Sequence, residues 1–259
     1  MGGTLSTDGS GWILHRLRAA GVATAVGVVG LVVGLVLSAV AALVLLLGGV
    51  DVQSQPFLVI VVSLILVQGV AFGGVALGYL RYRDLGWGYV PARSPSIRDL
   101  LAVLAGYVLA FLGVSAGTLL ITSTGAEPAE NQIGEIATQS PDVLLVLVPA
   151  SFLLIGPGEE LLFRGVVQGR IREVFGPVAG VVLASVIFAA IHVTALTGGL
   201  GGRLATIAIL FFPSLVFGSA YELTDNIVVP ALIHAAYNAT LFAGLYVYLQ
   251  SGGAPPTLL

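Results

Sequence analysis

Two glutamates and one arginine lie within an otherwise apolar part of this sequence, in the stretch GEELLFRG at residues 158–165. On a helix, residues four apart are neighbours, so Glu160 and Arg164 can pair and neutralise each other. Glu159 lies about 100° away around the helix axis, so its carboxylate faces elsewhere and is free for chemistry. The preceding Pro157-Gly158 predicts a helix break that leaves unpaired backbone N–H groups near these carboxylates. An acidic helix start at a membrane interface would contain the same residue types.

Two further groups place a histidine one helical turn from a partner. FAAIH puts Phe188 and His192 on one helix face, and HAAYN does the same for His234 and Asn238. Taken singly, each histidine is explained as well by structure, either as a ring bonded to a nearby carbonyl or as a hydrogen bond that joins two helices. Ionisable groups at membrane depth cost about 2.5–3.5 kcal/mol each on insertion scales. Several of them in one half of a chain therefore indicate a shared site.

The spacing around one turn predicts that the first two groups meet. Gly176-Pro177 joins two helices, and Glu159 lies 17 residues before Gly176 while His192 lies 15 residues after Pro177. In an antiparallel hairpin these two side chains lie at the same depth to within about 3–4 Å. The same counting sets Arg164 opposite Phe188.

The third group fits this simple count less well. If Arg172 marks a membrane interface, Glu159 lies about 20 Å inward, whereas His234 is only about 9 Å from the start of its helix. A tilted helix, a short fourth helix, or a helix at residues 159–175 that enters the membrane only partly must account for this difference in depth.

The elements that carry these groups are membrane helices. Of the 259 residues, 57% are hydrophobic and 9% charged, against about 25% charged in a typical soluble domain. A chain this apolar needs the bilayer as its solvent. Its long apolar stretches predict an all-α polytopic bundle of about seven membrane helices, within a range of about six to eight. The predicted spans are 21–50, 56–80, 100–122, 143–155 with a more polar continuation, 177–194, 204–221 and 228–249.

The spans divide the chain into two regions and a tail. Residues 1–140 supply three membrane helices after a frayed N-terminus, residues 141–250 form the bundle with the polar groups, and residues 251–259 are a flexible tail. Nine of the ten arginines fall on one side of the predicted membrane, which places that side and the N-terminus in the cytoplasm of a multi-pass cell-membrane protein. The lysine-free, mildly acidic composition is typical of a high-GC or salt-adapted prokaryote, such as a haloarchaeon.

Several functional classes are excluded by residues that the sequence lacks. Without cysteine, the chain has no disulfide, thiolate nucleophile or cysteine-bound metal. No basic stripe studded with aromatic residues indicates a nucleic-acid partner. No GxSxG elbow supports Ser185 or Ser214 as a nucleophile, and no mid-span aspartate could form an aspartyl dyad.

The remaining chemistry is the activation of water. A carboxylate and an imidazole can deprotonate a water for attack on a carbonyl, and a second histidine with an asparagine amide could stabilise the oxyanion that develops. Alternatively, Glu159, His192 and His234 could hold a divalent metal such as zinc that activates the water. The HExxH helix of ordinary zinc proteases is absent. No cofactor is favoured on these grounds.

The ordered set GEELLFRG, FAAIH and HAAYN resembles the CPBP family, which contains CAAX prenyl endopeptidases and bacteriocin-processing or abortive-infection proteins. The resemblance covers about residues 143–245 and implies that Glu159 is the general base, with His192 as its partner on the water. It assigns His234 and Asn238 to the oxyanion site. The supporting residues that it implies are Glu160, Arg164 and Phe188.

We therefore expect an intramembrane endopeptidase that hydrolyses a peptide bond near the membrane face. Its partners would be membrane lipids and a protein or peptide substrate, including a lipidated one. Members of the CPBP family are often named metalloproteases, while a metal-free glutamate mechanism is favoured for its eukaryotic branch. The alternatives are a non-enzymatic scaffold or immunity-type protein with the same fold, and a transporter, for which the sequence lacks inverted halves.

Overall fold

The computed structural model describes residues 8–252, so the predicted frayed N-terminus and flexible tail lie largely outside the described residues. Within this range the chain forms eight helices and no β-strand. The helices are α1 (Asp8–Leu47), α2 (Pro56–Tyr82), α3 (Ile97–Thr122), α4 (Gln132–Gln139), α5 (Val143–Phe175), α6 (Pro177–Ala195), α7 (Leu200–Thr224) and α8 (Val228–Gln250).

Seven of these helices are long and apolar enough to cross a membrane, and α4 is the exception. The predicted all-α bundle with seven spans is thereby confirmed. The helix α1 begins well before residue 21, where the first span was predicted. The predicted division of the chain at residue 140 stays a prediction. One buried cluster joins helices from both sides of it, and its members include Ala23, Phe72, Phe163 and Phe188.

The helix α5 forms the centre of the bundle. More than half of its most apolar window, 56%, is buried, compared with 11% for α1. At 33 residues, α5 is about 50 Å long. This exceeds the hydrocarbon thickness of about 30 Å, so the helix must be tilted or extend beyond the membrane. Depths counted from Arg172 along an upright helix were therefore misleading.

The predicted helix break at Pro157-Gly158 is wrong. Both Ile155 and Gly156 have helical backbone angles, and α5 continues without interruption. The turns on either side, Ser151–Ile155 and Leu161–Gln168, have the wider π-helical geometry. A proline in a helix removes one backbone hydrogen bond and crowds the preceding turn. The wider turn before Pro157 accommodates this without ending the helix.

Most of the arginines gather at one end of the bundle. The guanidinium of Arg16 lies 5.1 Å from the ring centre of Phe175. The Tyr89 hydroxyl donates a hydrogen bond of 2.7 Å to Glu173, which also pairs with Arg83 at 3.5 Å. Burial raises the pKa of the Tyr89 phenol, and its bond to Glu173 raises it further. This end joins the start of α1, the α2–α3 connection and the turn between α5 and α6.

The opposite end is covered by residues 125–139, which we call the cover segment. Asn131 and Leu196 form an isolated antiparallel bridge, and the Thr197 amide donates to the Glu130 carbonyl at 2.9 Å. The Asn131 side chain also caps α4 by accepting from the Ile133 amide at 2.9 Å. The amphipathic α4 buries Ala137 against the ends of α2, α5 and α8. The cover segment is thus hydrogen-bonded to the residues that follow His192.

Candidate active site

The carboxylate of Glu159 faces α2. Gln68 Nε2 donates a hydrogen bond of 2.8 Å to Glu159 Oε1. The other oxygen, Oε2, is buried and has no hydrogen-bond partner among the described residues. His234 Nε2 lies 3.9 Å from Oε2, which is too far for a hydrogen bond. Glu159 therefore keeps one oxygen engaged and one oxygen free.

The neighbouring Glu160 is engaged at both oxygens. Arg164 Nε donates to Glu160 Oε2 at 2.9 Å, which confirms the predicted pair. His234 Nδ1–H donates to Glu160 Oε1, also at 2.9 Å. Both charged side chains of the pair are fully buried, and Arg164 Nη2 donates to the Ser214 hydroxyl at 3.0 Å. The network ties α5 to α7 and α8.

Aromatic rings hold this network in place. The guanidinium of Arg164 lies 4.8 Å from the ring centre of Phe188, as the hairpin count predicted. Phe217 stacks on the His234 imidazole with ring centres 4.8 Å apart and an angle of 17° between the planes. Phe188 meets the same imidazole edge-on at 5.7 Å. A ring face near a cation is attractive, so Phe188 also stabilises the buried charge of Arg164.

His192 lies at the end of α6, where the helix tightens into a 3₁₀ turn. Its Nδ1–H donates to the Phe188 carbonyl at 2.8 Å. This bond fixes the tautomer of a neutral ring, so that Nε2 is free to accept a hydrogen bond. Neither nitrogen of the His192 imidazole lies within 4.0 Å of a described carboxylate oxygen. His192 and Glu159 instead line the same cavity.

The cavity has a volume of about 320 Å³ and is mostly apolar. Its walls come from α1, α2, the cover segment and the end of α6. Apolar side chains in these walls include Leu31, Leu35, Ile60, Leu64, Val67 and Ile133. The carboxylate of Glu159 and the His192 ring supply polar groups at the wall, where an apolar chain could be held against them.

Two glycines allow the helices to approach closely at the site. A methyl group at Gly156 would lie 2.7 Å from the Ala231 carbonyl oxygen of α8. A methyl group at Gly158 would overlap the Gln68 carbonyl oxygen of α2. Close backbone approach through small residues is the usual way in which membrane helices pack. The close approach of the helices at these glycines places His234 beside Glu160 on one side of α5 and Gln68 beside Glu159 on the other.

Residues 141–240 match the family model described as type II CAAX prenyl endopeptidase Rce1-like. The match contains all three polar groups at their predicted order. The chain carries an Rce1-like domain. This confirms the family resemblance for these residues, and together with the seven long apolar helices it identifies an integral membrane protein. No curated protein and no solved structure matches the chain.

Within the Rce1-like domain, Asn238 is the predicted site residue that the structure does not bring to the others. It lies one turn beyond His234 on α8 and is half-buried. Its side chain makes no hydrogen bond to a described residue, and it does not line the cavity. Its predicted part in an oxyanion site remains a prediction.

The candidate site residues do not fit a metal centre. Among residues 8–252, no three His, Asp or Glu side chains are grouped so that they could hold a metal ion. A catalytic zinc site needs about three protein ligands at about 2.0–2.2 Å for nitrogen and oxygen. Glu159, His192 and His234 do not meet this requirement, and no step below passes through a metal.

The sequence predictions missed three residues beside the domain's charged groups: Gln68, Ser214 and Phe217. Gln68 is one of very few polar residues in the span 56–80, so the rule that polar groups at membrane depth are functional candidates could have found it. Ser214 was considered only as a nucleophile. Phe217 gave no signal, because an aromatic residue in an apolar helix is ordinary.

The buried ion pair predicts a large effect of Arg164→Met on stability. This change leaves the Glu160 carboxylate without its guanidinium in a buried site, and breaking such a pair costs about 3–5 kcal/mol. The melting temperature in detergent should fall by several degrees. Arg98→Met, at an exposed arginine, should leave the melting temperature unchanged. Equal melting temperatures for wild type and Arg164→Met would contradict the assigned pairing.

Proposed function

We propose that the protein is an intramembrane endopeptidase in which Glu159 activates the attacking water. The observation that carries this proposal is the free Oε2 of Glu159, buried at a cavity that His192 also lines. A buried acceptor without a partner is costly. A water molecule held there would satisfy it and would be placed for chemistry.

The first step is attack by this water on a peptide carbonyl. The water would donate one hydrogen bond to Glu159 Oε2 and the other to His192 Nε2, the ring nitrogen that the bond to Phe188 leaves free. As the water oxygen bonds to the carbonyl carbon, its proton passes to Glu159. The C=O electron pair moves to the oxygen and forms the tetrahedral oxyanion.

We assign the stabilisation of this oxyanion to His234. Its Nδ1–H is committed to Glu160, so Nε2 carries a proton only when the ring is positively charged. Two carboxylates and one guanidinium leave the cluster with one negative charge, which a proton on His234 would balance. The resulting N–H would donate to the oxyanion. A second donor, Asn238, is added on the family resemblance alone.

The second step breaks the peptide bond. The oxyanion collapses, the C–N bond breaks, and the proton taken up by Glu159 passes to the leaving amine. The products are a new carboxyl group and a new amine. No covalent bond to the protein forms, which agrees with the absence of a serine elbow or a cysteine.

The cavity favours an apolar substrate. Its walls would bind an extended apolar segment of a protein or peptide, or a lipid chain attached to one. It lies towards the cover segment, at the end of the bundle opposite the arginine-rich end. With the arginine-rich end in the cytoplasm of a prokaryotic cell, substrate would approach from the non-cytoplasmic side or from the bilayer between α1 and α2.

Loss of the base should abolish hydrolysis without loss of fold. Glu159→Gln should lower kcat by about 10²–10⁴-fold, the usual contribution of a general base, in a peptide-library assay on purified protein. His192→Ala should also abolish cleavage, and His234→Ala should do so while also lowering stability through the loss of its bond to Glu160. The matched control is Glu135→Gln, at an exposed residue of α4, which should cleave normally. Full cleavage by a well-folded Glu159→Gln protein would refute the assignment and favour a scaffold protein.

A chelator should leave the activity intact. Treatment with a strong chelator, followed by metal analysis of the purified protein, is expected to give a metal-free enzyme with unchanged kcat, because no step needs a metal. Loss of cleavage on chelation and its recovery on addition of zinc would replace the glutamate mechanism by a metal-dependent one.

The proposed side of substrate entry can be tested in intact cells, because the chain has no cysteine of its own. Ser94→Cys and Ser123→Cys introduce single thiols at exposed positions near the two ends of α3. A membrane-impermeant maleimide should label Ser123→Cys directly, since this end lies beside the cover segment. Ser94→Cys should be labelled only after permeabilisation. The reverse pattern would place the cavity on the cytoplasmic side.

A further inference from the structure

Gln68 connects the helices before the Rce1-like domain to its proposed base. Within residues 8–252, Gln68 Nε2 is the one hydrogen-bond donor to Glu159, at 2.8 Å. The ionisable groups near this carboxylate come from other helices or from α5 itself: Glu160, Arg164, His192 and His234. The helix α2 therefore contributes a neutral donor, which can orient Glu159 without changing the net charge of the cluster.

The backbone geometry around Gln68 allows this contact between α2 and α5. Gln68 lies in the stretch Ile65–Gly73 of α2, which has π-helical geometry. Such wide turns are frequent at functional sites. The absence of a side chain at Gly158 lets the Gln68 carbonyl oxygen touch the backbone of α5. The backbone of Gln68 is thus in contact with Gly158, the residue that precedes Glu159.

Each of the two side chains joined by this hydrogen bond has a second polar atom that is buried and has no partner among the described residues. These acceptors are Glu159 Oε2 and Gln68 Oε1. A carboxylate only accepts hydrogen bonds, so the amide nitrogen must face it and the amide oxygen must face away. Neither acceptor has a donor among the described residues, and buried polar atoms of this kind are commonly satisfied by water.

We propose that Gln68 is a positioning residue that fixes the rotation of the Glu159 carboxylate. By engaging Oε1, it keeps Oε2 directed at the water. This inference rests on the proposed role of Glu159 as base. It extends the site beyond residues 141–240, into a helix that carries none of the three polar groups.

The proposal is tested with Gln68→Met, which keeps the length of the side chain and removes the donor. The carboxylate stretch of Glu159, isolated as the infrared difference between wild type and Glu159→Gln, should shift in frequency when the donor is lost. Gln132→Met is the matched control, because Gln132 lines the same cavity but donates to the Thr194 carbonyl instead. It should leave the band in place. An unshifted band in Gln68→Met would overturn the proposal.

Kinetics provide the second measurement. Gln68→Met should lower kcat by about tenfold or more, as expected for a lost hydrogen bond to a charged group, with little change in KM. Gln132→Met should act on KM instead. Gln68→Asn keeps a shorter amide and should recover part of the lost kcat, and it replaces Gln68→Met if that variant does not fold. Unchanged kcat in both Gln68 variants would contradict the proposal.

The two measurements separate this inference from the proposed function. The infrared band does not depend on catalysis. A shifted band in a protein that cleaves no peptide would retain the contact and reject the protease. An active enzyme with neither a shifted band nor a lower kcat in Gln68→Met would retain the protease and reject Gln68.

Discussion

The fold depends on neutralising one fully buried carboxylate. Glu160 accepts hydrogen bonds from Arg164 and His234, and all three side chains are removed from solvent. A charge at this position without partners would cost several kcal/mol. Each partner arrives on a different part of the chain, so the pairing is complete only when α5 and α8 are correctly docked. Ser214 of α7 accepts a further hydrogen bond from the guanidinium.

The same pairing gives two adjacent glutamates different roles. Glu160 is held at both oxygens, whereas Glu159, about 100° away around the helix, is held at one. A single hydrogen bond from Gln68 leaves Glu159 Oε2 available at an apolar cavity. The two residues are chemically identical, and their different hydrogen-bond partners underlie the different roles that we propose for them.

Much of the site was predictable because the relevant spacing is local. The pairing of Glu160 with Arg164 follows from one helical turn, and the meeting of Arg164 with Phe188 follows from counting across one tight turn. The helix break at Pro157 was wrong because wide turns absorb the proline, and no residue pattern indicates π-helical geometry. The contact of Gln68 with Glu159 joins positions 91 residues apart, so no local pattern could have revealed it.

The helices before the Rce1-like domain contribute to the candidate site. The helices α1 and α2 form much of the cavity wall, and α2 supplies the donor to Glu159. Membrane helices pack without a hydrophobic force between them, so their contacts depend on close fit at small residues. Gly158 provides that fit where α2 meets α5. Because the hydrogen bond to this carboxylate comes from outside the segment that carries it, residues 141–240 alone would lack both the part of the cavity wall that α1 and α2 form and the described donor to Glu159.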